Sequence, residues 1–477
     1  MWVEVGSDIW NWNKSESAVV TAGEHPMVQI KAVFWGALVL LAGLWLIADP
    51  AALFPSGFFP LRGSMVQLTG VLAMGCMSLA MILALRPRWP ERWLGGLDKM
   101  YRLHKWLGIG ALVLSVTHWL WTQGPKWAVG FGLLERPVRG PRAPVDNMFH
   151  QLLLSQRGLA EDVGEWAFYA AVVLIVVALV RWIPYHIFYK THRLLAAAYL
   201  VLAFHAVVLL EFGYWLTPLG LMMAVLLASG SVASVLVLLR RVGAQLKAEG
   251  RITYLRYYPE LRVLEGEIDI PQGWPGHKAG QFAFVSGDPT DGPHPFTIAS
   301  AWHPSQHRLT FVAKELGDFT STLRDRRYVG EPVTVEGPYG CFTFDDDRPC
   351  QIWVGAGIGI TPFIARMKEI ALERQSAPDT YRPQEIHLFH PTADYSEEAI
   401  AKLQADAGAA GVQLHVLYDK RDGRLNGERI RAVVTGWREA SIWFCGPSAF
   451  GRALRQDFAR HGFDVSKRFH QELFEMR

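Results

Sequence analysis

Cysteine is scarce in this chain. There are four in 477 residues, Cys76, Cys341, Cys350 and Cys445, with no CxxC pair and no regular spacing. No disulfide framework and no cysteine-based metal site is indicated. The first thirty residues lack a basic start followed by an apolar run and carry Glu4, Asp8, Glu16 and Glu24 instead, which argues against a signal peptide and for a cytoplasmic N-terminus. No calcium loop of the D-x-D-x-D-G type occurs; Asp345 to Asp347 reads as a solvated acidic turn. With no proline-rich tail or long disordered segment, no obligatory protein activator is expected. The opening MWVEVGSDIWNWNK reads equally as an interfacial helix or a disordered start.

Charge is missing from only half of the chain. The whole is 51% hydrophobic and 19% charged, yet long runs before about residue 240 carry no charge, and after it Asp, Glu, Lys and Arg recur every few positions. Since a helix crosses roughly 30 Å of hydrocarbon in about 20 residues, six spans are expected: Ala32 to Ala48, Met65 to Leu85, Trp106 to Trp121, Trp166 to Val180, Leu194 to Leu210 and Tyr214 to Leu239. Basic clusters fall after spans two (Arg86, Arg88, Arg92, Lys99, Arg102, Lys105), four (Arg181, Lys190, Arg193) and six (Arg240, Arg241, Lys247). This puts both termini on the cytoplasmic side of the cell (inner) membrane. The 122–165 loop also carries Lys126, Arg136, Arg139, Arg142 and Arg157, but Glu135, Asp146, Glu161 and Asp162 partly offset them, so it is read as outside. The net charge of +3 follows this orientation and implies no nucleic acid. Four segments result: a cytoplasmic start (1–31), a membrane domain (32–240), a small barrel (250–346) and a nucleotide domain (347–477).

Ionisable groups inside a span are rare and read first as functional. Span three carries His104 and His118, fourteen residues apart; span five carries His192 and His205, thirteen apart. At about 1.5 Å per residue the separations are roughly 21 and 19.5 Å, which stacks two bis-histidine sites, His104/His192 and His118/His205. Thirteen steps leave the second histidine of span five some 140° from the first, so that span needs a local distortion, or its imidazoles approach from different sides. Imidazole suits zinc, copper and iron alike. Two histidines per site without a carboxylate or thiolate favour a six-coordinate haem, and the small residues Gly108, Gly110 and Ala111, with Ala196 to Ala198, leave room for a flat macrocycle. His150 and His186 are unpaired loop histidines.

RITYLRYY, GQFAFVS, RLTFVAKEL and EPVTVEGPYG read as short strands separated by turns, the pattern of an antiparallel barrel. From Gln351 the pattern becomes strand, turn and helix, as a doubly wound parallel sheet requires. GAGIGITPF, Gly355 to Phe363, follows a strand and opens a helix, where free N–H groups suit a pyrophosphate; its spacing is not GxGxxG, and it reads equally as a plain turn.

HPFTIAS (His294 to Ser300), GPYG (Gly337 to Gly340), GAGIGITPF, FCGP (Phe444 to Pro447) and the terminal FHQELFEMR, behind spans with paired histidines, resemble the NADPH oxidase and ferric reductase family. The resemblance covers nearly the whole chain from about residue 32. It implies FAD on His294, Pro295, Phe296, Thr297 and Ser300, with the pyrophosphate held by Lys314, Gly317, Phe319 and Thr320, Lys standing where relatives usually have Arg. It implies NADPH, or NADH, on Gly355, Gly357, Gly359, Thr361 and Pro362, with Cys445, Gly446 and Pro447 by the nicotinamide. Arg424 would read a 2′-phosphate, since His390, Pro391 and Thr392 stand where relatives place an Arg. Phe474 would cover the flavin, with three residues after it. His104, His118, His192 and His205 would hold two b-type haems, and Arg62 would hold an anion near the outer one. Phe474, Cys445, Thr361 and Arg62 are thus expected at the reacting atoms.

The activity implied is passage of electrons from NAD(P)H across the bilayer to an outer acceptor, preferably oxygen and alternatively a ferric chelate. Thr122, where the oxidases have a histidine, weakens the case for superoxide. A haem-free six-span transporter or sensor with a nucleotide-binding regulatory domain is the reading from another class.

Overall fold

The computed structural model describes residues 25–135, 145, 147–180, 182–287, 292–376 and 384–472. Its first half is helical: α1 (His25–Ala48), α2 (Phe58–Ala84), α3 (Arg88–Leu94), α4 (Leu97–Gly130), α5 (Met148–Leu179), α6 (Tyr185–His192), α7 (Leu194–Leu209) and α8 (Pro218–Leu238). Helix boundaries follow local chemistry. Gly95 at φ +81° ends α3 in a left-handed cap, Asn147 caps α5 by accepting from the His150 N–H at 3.1 Å, and Pro218 opens α8, where a missing N–H costs nothing.

Five described helical segments are long and apolar enough to cross a membrane: Ile30–Ala48, Phe58–Ala84, Met148–Leu179, Ile187–Leu209 and Pro218–Leu238. The expected third span differs. It lies within α4, which at 34 residues is long enough but takes in Asp98, Lys99, Arg102, Lys105 and Lys126 and packs against α2. Apolar side chains point outward from the bundle, Val39 at 68% and Leu221 at 70% exposure, as lipid-facing positions do, while Leu41, Met74, Tyr199 and Met223 fill its interior.

The second half begins with β1 (Lys247–Tyr258), β2 (Val263–Asp269), β3 (Phe282–Ser286), β4 (His294–Thr297), β5 (Arg308–Lys314), α9 (Asp318–Arg326) and β6 (Pro332–Tyr339). The strands pair antiparallel in the order β4-β3-β6-β1-β2-β5, and a bridge from Ile298 to Phe311 joins the two edges into a barrel. Then come β7 (Cys350–Gly355), α10 (Thr361–Ser376), β8 (Glu385–Thr392), α11 (Glu397–Ala410), β9 (Gln413–Tyr418), β10 (Ser441–Cys445) and β11 (Phe469–Glu472), a parallel sheet ordered β11-β10-β7-β8-β9. The order reverses between β10 and β7, which opens a crevice beyond their C-terminal ends.

One apolar cluster joins membrane bundle and barrel, with Cys76, Leu97, Met100 and Leu107 packed against Phe282, Phe284 and Tyr339. The barrel is therefore seated on the ends of α2 and α4.

Candidate redox site

α2 aims both histidines of α4. His104 Nδ1 donates to the Ala80 carbonyl at 2.9 Å and His118 Nδ1 to the Val66 carbonyl at 3.0 Å; Ala80 and Val66 are fourteen residues apart, matching the histidines they orient. On α7, His205 Nδ1 donates to Ala160 of α5 at 2.7 Å. A carbonyl only accepts, so Nδ1 carries the proton in all three and Nε2 keeps the lone pair a metal needs. His192 is the exception: its Nδ1 is buried and has no hydrogen-bond partner among the described residues.

The helix that carries the other pair of histidines is interrupted. α6 ends at His192, Arg193 forms a turn, and α7 starts at Leu194, the Ala196 N–H reaching back to the Arg193 carbonyl at 3.1 Å. The interruption sits directly beside His192.

The rings pair as expected from sequence. Centroids lie 5.9 Å apart for His104/His192 and 6.4 Å for His118/His205. Two metal–imidazole bonds of about 2 Å plus two ring radii come to a little over 6 Å, so both pairs fit a metal held between Nε2 atoms. At the near pair, His104/His192, the space also fits a macrocycle: Ala80, Gly108, Ala111, Ala171, Ala178 and Ala196 line a cavity of about 1440 Å³. At the far pair glycine permits the approach, since a Cβ on Gly164 would collide with the His205 ring. Gly164→Ala is expected to displace His205 and cut haem content by about half without touching the near pair, a loss of the order seen when support of a ligand is removed; pyridine haemochrome analysis of the purified variant checks this.

The cavity continues past His192 to the barrel, where Phe284, Pro293 and Pro295 line it, and on to Trp443, His470 and Glu472. Aromatic rings follow its wall. Phe188 stacks on His192 at 4.9 Å, Tyr185 lies 6.0 Å from Phe188 and 4.7 Å from His294, and His294 stacks on Phe319 at 3.4 Å. The HPFT segment thus meets the helix that ends in a histidine of the near pair.

A buried polar latch fixes this junction. Arg86, just past α2, pairs with Glu336 at 2.5 Å, donates to the Tyr101 hydroxyl at 2.9 Å and lies 3.9 Å over the Phe284 ring. Tyr339 donates to Glu336 at 2.8 Å, and burial, then the Glu336 charge, pushes its phenol pKa up. Glu91 of α3 accepts from the Gly340 N–H at 2.6 Å; burial raises its pKa against that bond. Neither Arg86 nor Glu336 stood out in the sequence, although the signal, an acid directly before GPYG, was there.

The flavin-motif residues differ in where they sit. Pro295 lines the cavity and His294 stacks on Phe319, whereas Phe296 is partly buried against the barrel core near Phe311, Thr297 is buried, and Ser300 accepts from the Thr310 N–H. Thr320 ties down the Leu316 and Gly317 N–H groups at the start of α9. Lys314 pairs with Asp394 of the nucleotide domain at 2.6 Å, so a pyrophosphate there competes with a carboxylate for the same ammonium.

At the switch point, register places Gly355, Cys445 and Glu472 side by side on β7, β10 and β11. Gly357 takes φ +56°, and a Cβ on Gly359 would strike the Cys445 carbonyl. Thr361 opens α10, buried and bonded to Ile358, with Pro362 after it; Gly446 and Pro447 follow β10. Burial, then Glu472, pushes the Cys445 thiol pKa well up, and burial, then Asp98, raises Glu472. These groups fit a pyrophosphate and nicotinamide approached by backbone. Arg424 is exposed beyond β9, and Phe474 lies outside the described residues. At the opposite end of the bundle Arg62 donates to the Trp121 and Thr122 carbonyls at 3.1 and 3.3 Å, one turn beyond His118.

Residues 69–203 match the family described as ferric reductase like transmembrane component, and residues 251–343 match the FAD-binding domain. The reductase subunit of stachydrine N-demethylase from Rhizobium meliloti (strain 1021) is 27% identical over 42% of this chain and 58% of its own. Respiratory burst oxidase homolog protein D of Solanum tuberosum is 29% identical over 39% of this chain and 23% of its own, and ferric reduction oxidase 5 of Arabidopsis thaliana 36% identical over 17% and 12%. The chain spans about half the length of the first curated relatives it matches. With a ferric reductase like transmembrane component in front and a FAD-binding domain behind, the chain is a membrane protein similar in sequence to a ferric reduction oxidase and a respiratory burst oxidase.

Proposed function

We propose that this protein is a transmembrane NAD(P)H oxidoreductase that carries electrons from a cytoplasmic nicotinamide to an acceptor outside the cell membrane. FAD supplies the conversion of a hydride into single electrons, and two bis-histidine haems supply the way across the bilayer. The observation that carries this reading is the pair of histidine pairs at 5.9 and 6.4 Å, together with the cavity that runs from the near pair to the barrel and Glu472.

In this reading α4 is the third of six spans and both termini are cytoplasmic. Gly355, Gly357, Gly359 and Gly446 let the backbone approach the dinucleotide, Pro362 and Pro447 shape the turns beside them, and Arg424 selects NADPH over NADH by pairing with a 2′-phosphate. Cys445, Thr361 and Phe474 exclude water around the nicotinamide and flavin. His294, Pro295 and Phe319 hold the isoalloxazine against Tyr185 and Phe188, while Lys314 and Thr320 hold its phosphates. His104 with His192, and His118 with His205, ligate the two irons through Nε2.

Oxygen, giving superoxide, is the preferred acceptor. Arg62 one turn beyond His118 is the cation that would hold the anionic product. Ferric chelate is the second reading, favoured by the 36% identity to a ferric reduction oxidase. Purified protein given NADPH is expected to reduce cytochrome c in a reaction that superoxide dismutase suppresses. A dismutase-insensitive signal with rapid reduction of a ferric chelate decides for the reductase.

A further inference from the structure

We propose that Cys350, Glu385 and His387 form a binding site for a soft divalent cation, zinc being the best match, at the edge of the nucleotide domain opposite its dinucleotide crevice. The register of β7 and β8 builds it: Cys350 lies opposite Glu385 and Ile352 opposite His387. The two-residue period of a strand keeps Glu385 and His387 on one face. Spacing in the sequence gave no sign of this, because the thiol and its partners come from different strands and meet only through pairing.

The Cys350 Sγ, a Glu385 carboxylate oxygen and a His387 ring nitrogen all lie within 4.8 Å of one another. Zinc bonds of about 2.0–2.3 Å bring such atoms closer than this. Glu385 can supply the closure, since its side chain is 58% exposed and swings without disturbing the core, while Cys350 and His387 are fixed by burial. His387 is aimed as a metal ligand is aimed: Nε2 faces Glu385 at 2.9 Å, and Nδ1 bonds His415 Nε2 at 3.2 Å. His415 in turn stacks on Phe389 at 4.6 Å, which locks the orienting ring.

The donor set is one thiolate, one imidazole and one carboxylate, with a fourth position left for water. That suits zinc and excludes the hard cations magnesium and calcium, which take oxygen ligands. Cys350 opens β7 and Gly355 closes it, so the site lies roughly 17 Å from the crevice at about 3.3 Å per residue. A cation there staples the start of the central strand to its neighbour and takes no part in electron transfer.

Purified full-length protein, treated with a chelator and dialysed against micromolar zinc chloride, is expected to retain about one zinc per chain, with one sulfur neighbour in zinc-edge X-ray absorption. Glu385→Gln, at an exposed position that spares the core, is expected to weaken retention about tenfold or more, and Cys350→Ser to remove the sulfur neighbour. Failure of the unaltered protein to retain zinc, a zinc shell without sulfur, or equal retention by Glu385→Gln would overturn the assignment.

Discussion

Replacing His192 by alanine is expected to remove about half of the bound haem and to slow NADPH-driven reduction of the outer acceptor by about 100-fold or more, the upper end of what loss of ligand support costs. Flavin reduction should be unchanged. The separation of the two effects follows from position: His192 closes α6 in the membrane bundle, while the crevice proposed for the nicotinamide is built by Gly355, Cys445 and Gly446 of the parallel sheet. His192 is also the only one of the four whose Nδ1 has no partner among the described residues, so Phe188 stacking and the break at Arg193 alone orient it. His150→Ala is the control. That ring stacks on Phe212 at 4.2 Å, away from both pairs, and its loss should leave haem content and electron flow intact. Stopped-flow spectra of flavin and haem bands in the same sample check all three outcomes.

Glu336→Gln is expected to produce the second large effect. Glu336 is 5% and Arg86 12% exposed, and removing one partner of a buried ion pair leaves the other charge uncompensated at a cost of about 3–5 kcal/mol. Arg86 adopts φ +57°, unfavourable for a side chain that is not glycine, and its bonds to Glu336 and Tyr101 hold it there. The cost falls on the seating of the barrel, because Glu336 ends in the barrel wall and Arg86 at the end of α2. A seat displaced by about 1 Å is enough for a loss on the order of 100-fold in a step that depends on positioning. NADPH should therefore reduce flavin at the normal rate, and haem reduction should lag. Glu336→Asp, which keeps the charge, should recover most of the rate. A merely destabilising change would lower both steps together.

What the sequence made legible was decided by how local the signal is. Apolar runs and turn clusters are local, so the helical half, the barrel and the parallel sheet could be read directly. His104 with His118 and His192 with His205 were legible because helical rise converts spacing into depth. α4 was harder, since Asp98, Lys99, Arg102 and Lys105 extend it out of the apolar run. Partners that meet only through the fold were not legible. The Ala80 and Val66 carbonyls, Gly164 under His205, the Arg86–Glu336 pair and the Cys350–Glu385–His387 cluster join segments from 24 to 250 positions apart in sequence. The break at Arg193 was anticipated as a distortion of span five, but not its place. Phe296, read as lining the flavin, also leans partly buried against the barrel core, a contact its motif does not announce.

The central claim is the two-haem path, and the haem content of the purified wild-type chain tests it most directly. Pyridine haemochrome analysis with a reduced-minus-oxidised spectrum should give about two low-spin b-type haems per chain, both reduced by NADPH under anaerobic conditions. A chain that folds, binds FAD and carries no haem would contradict the account and leave the four histidines as packing residues of a membrane bundle.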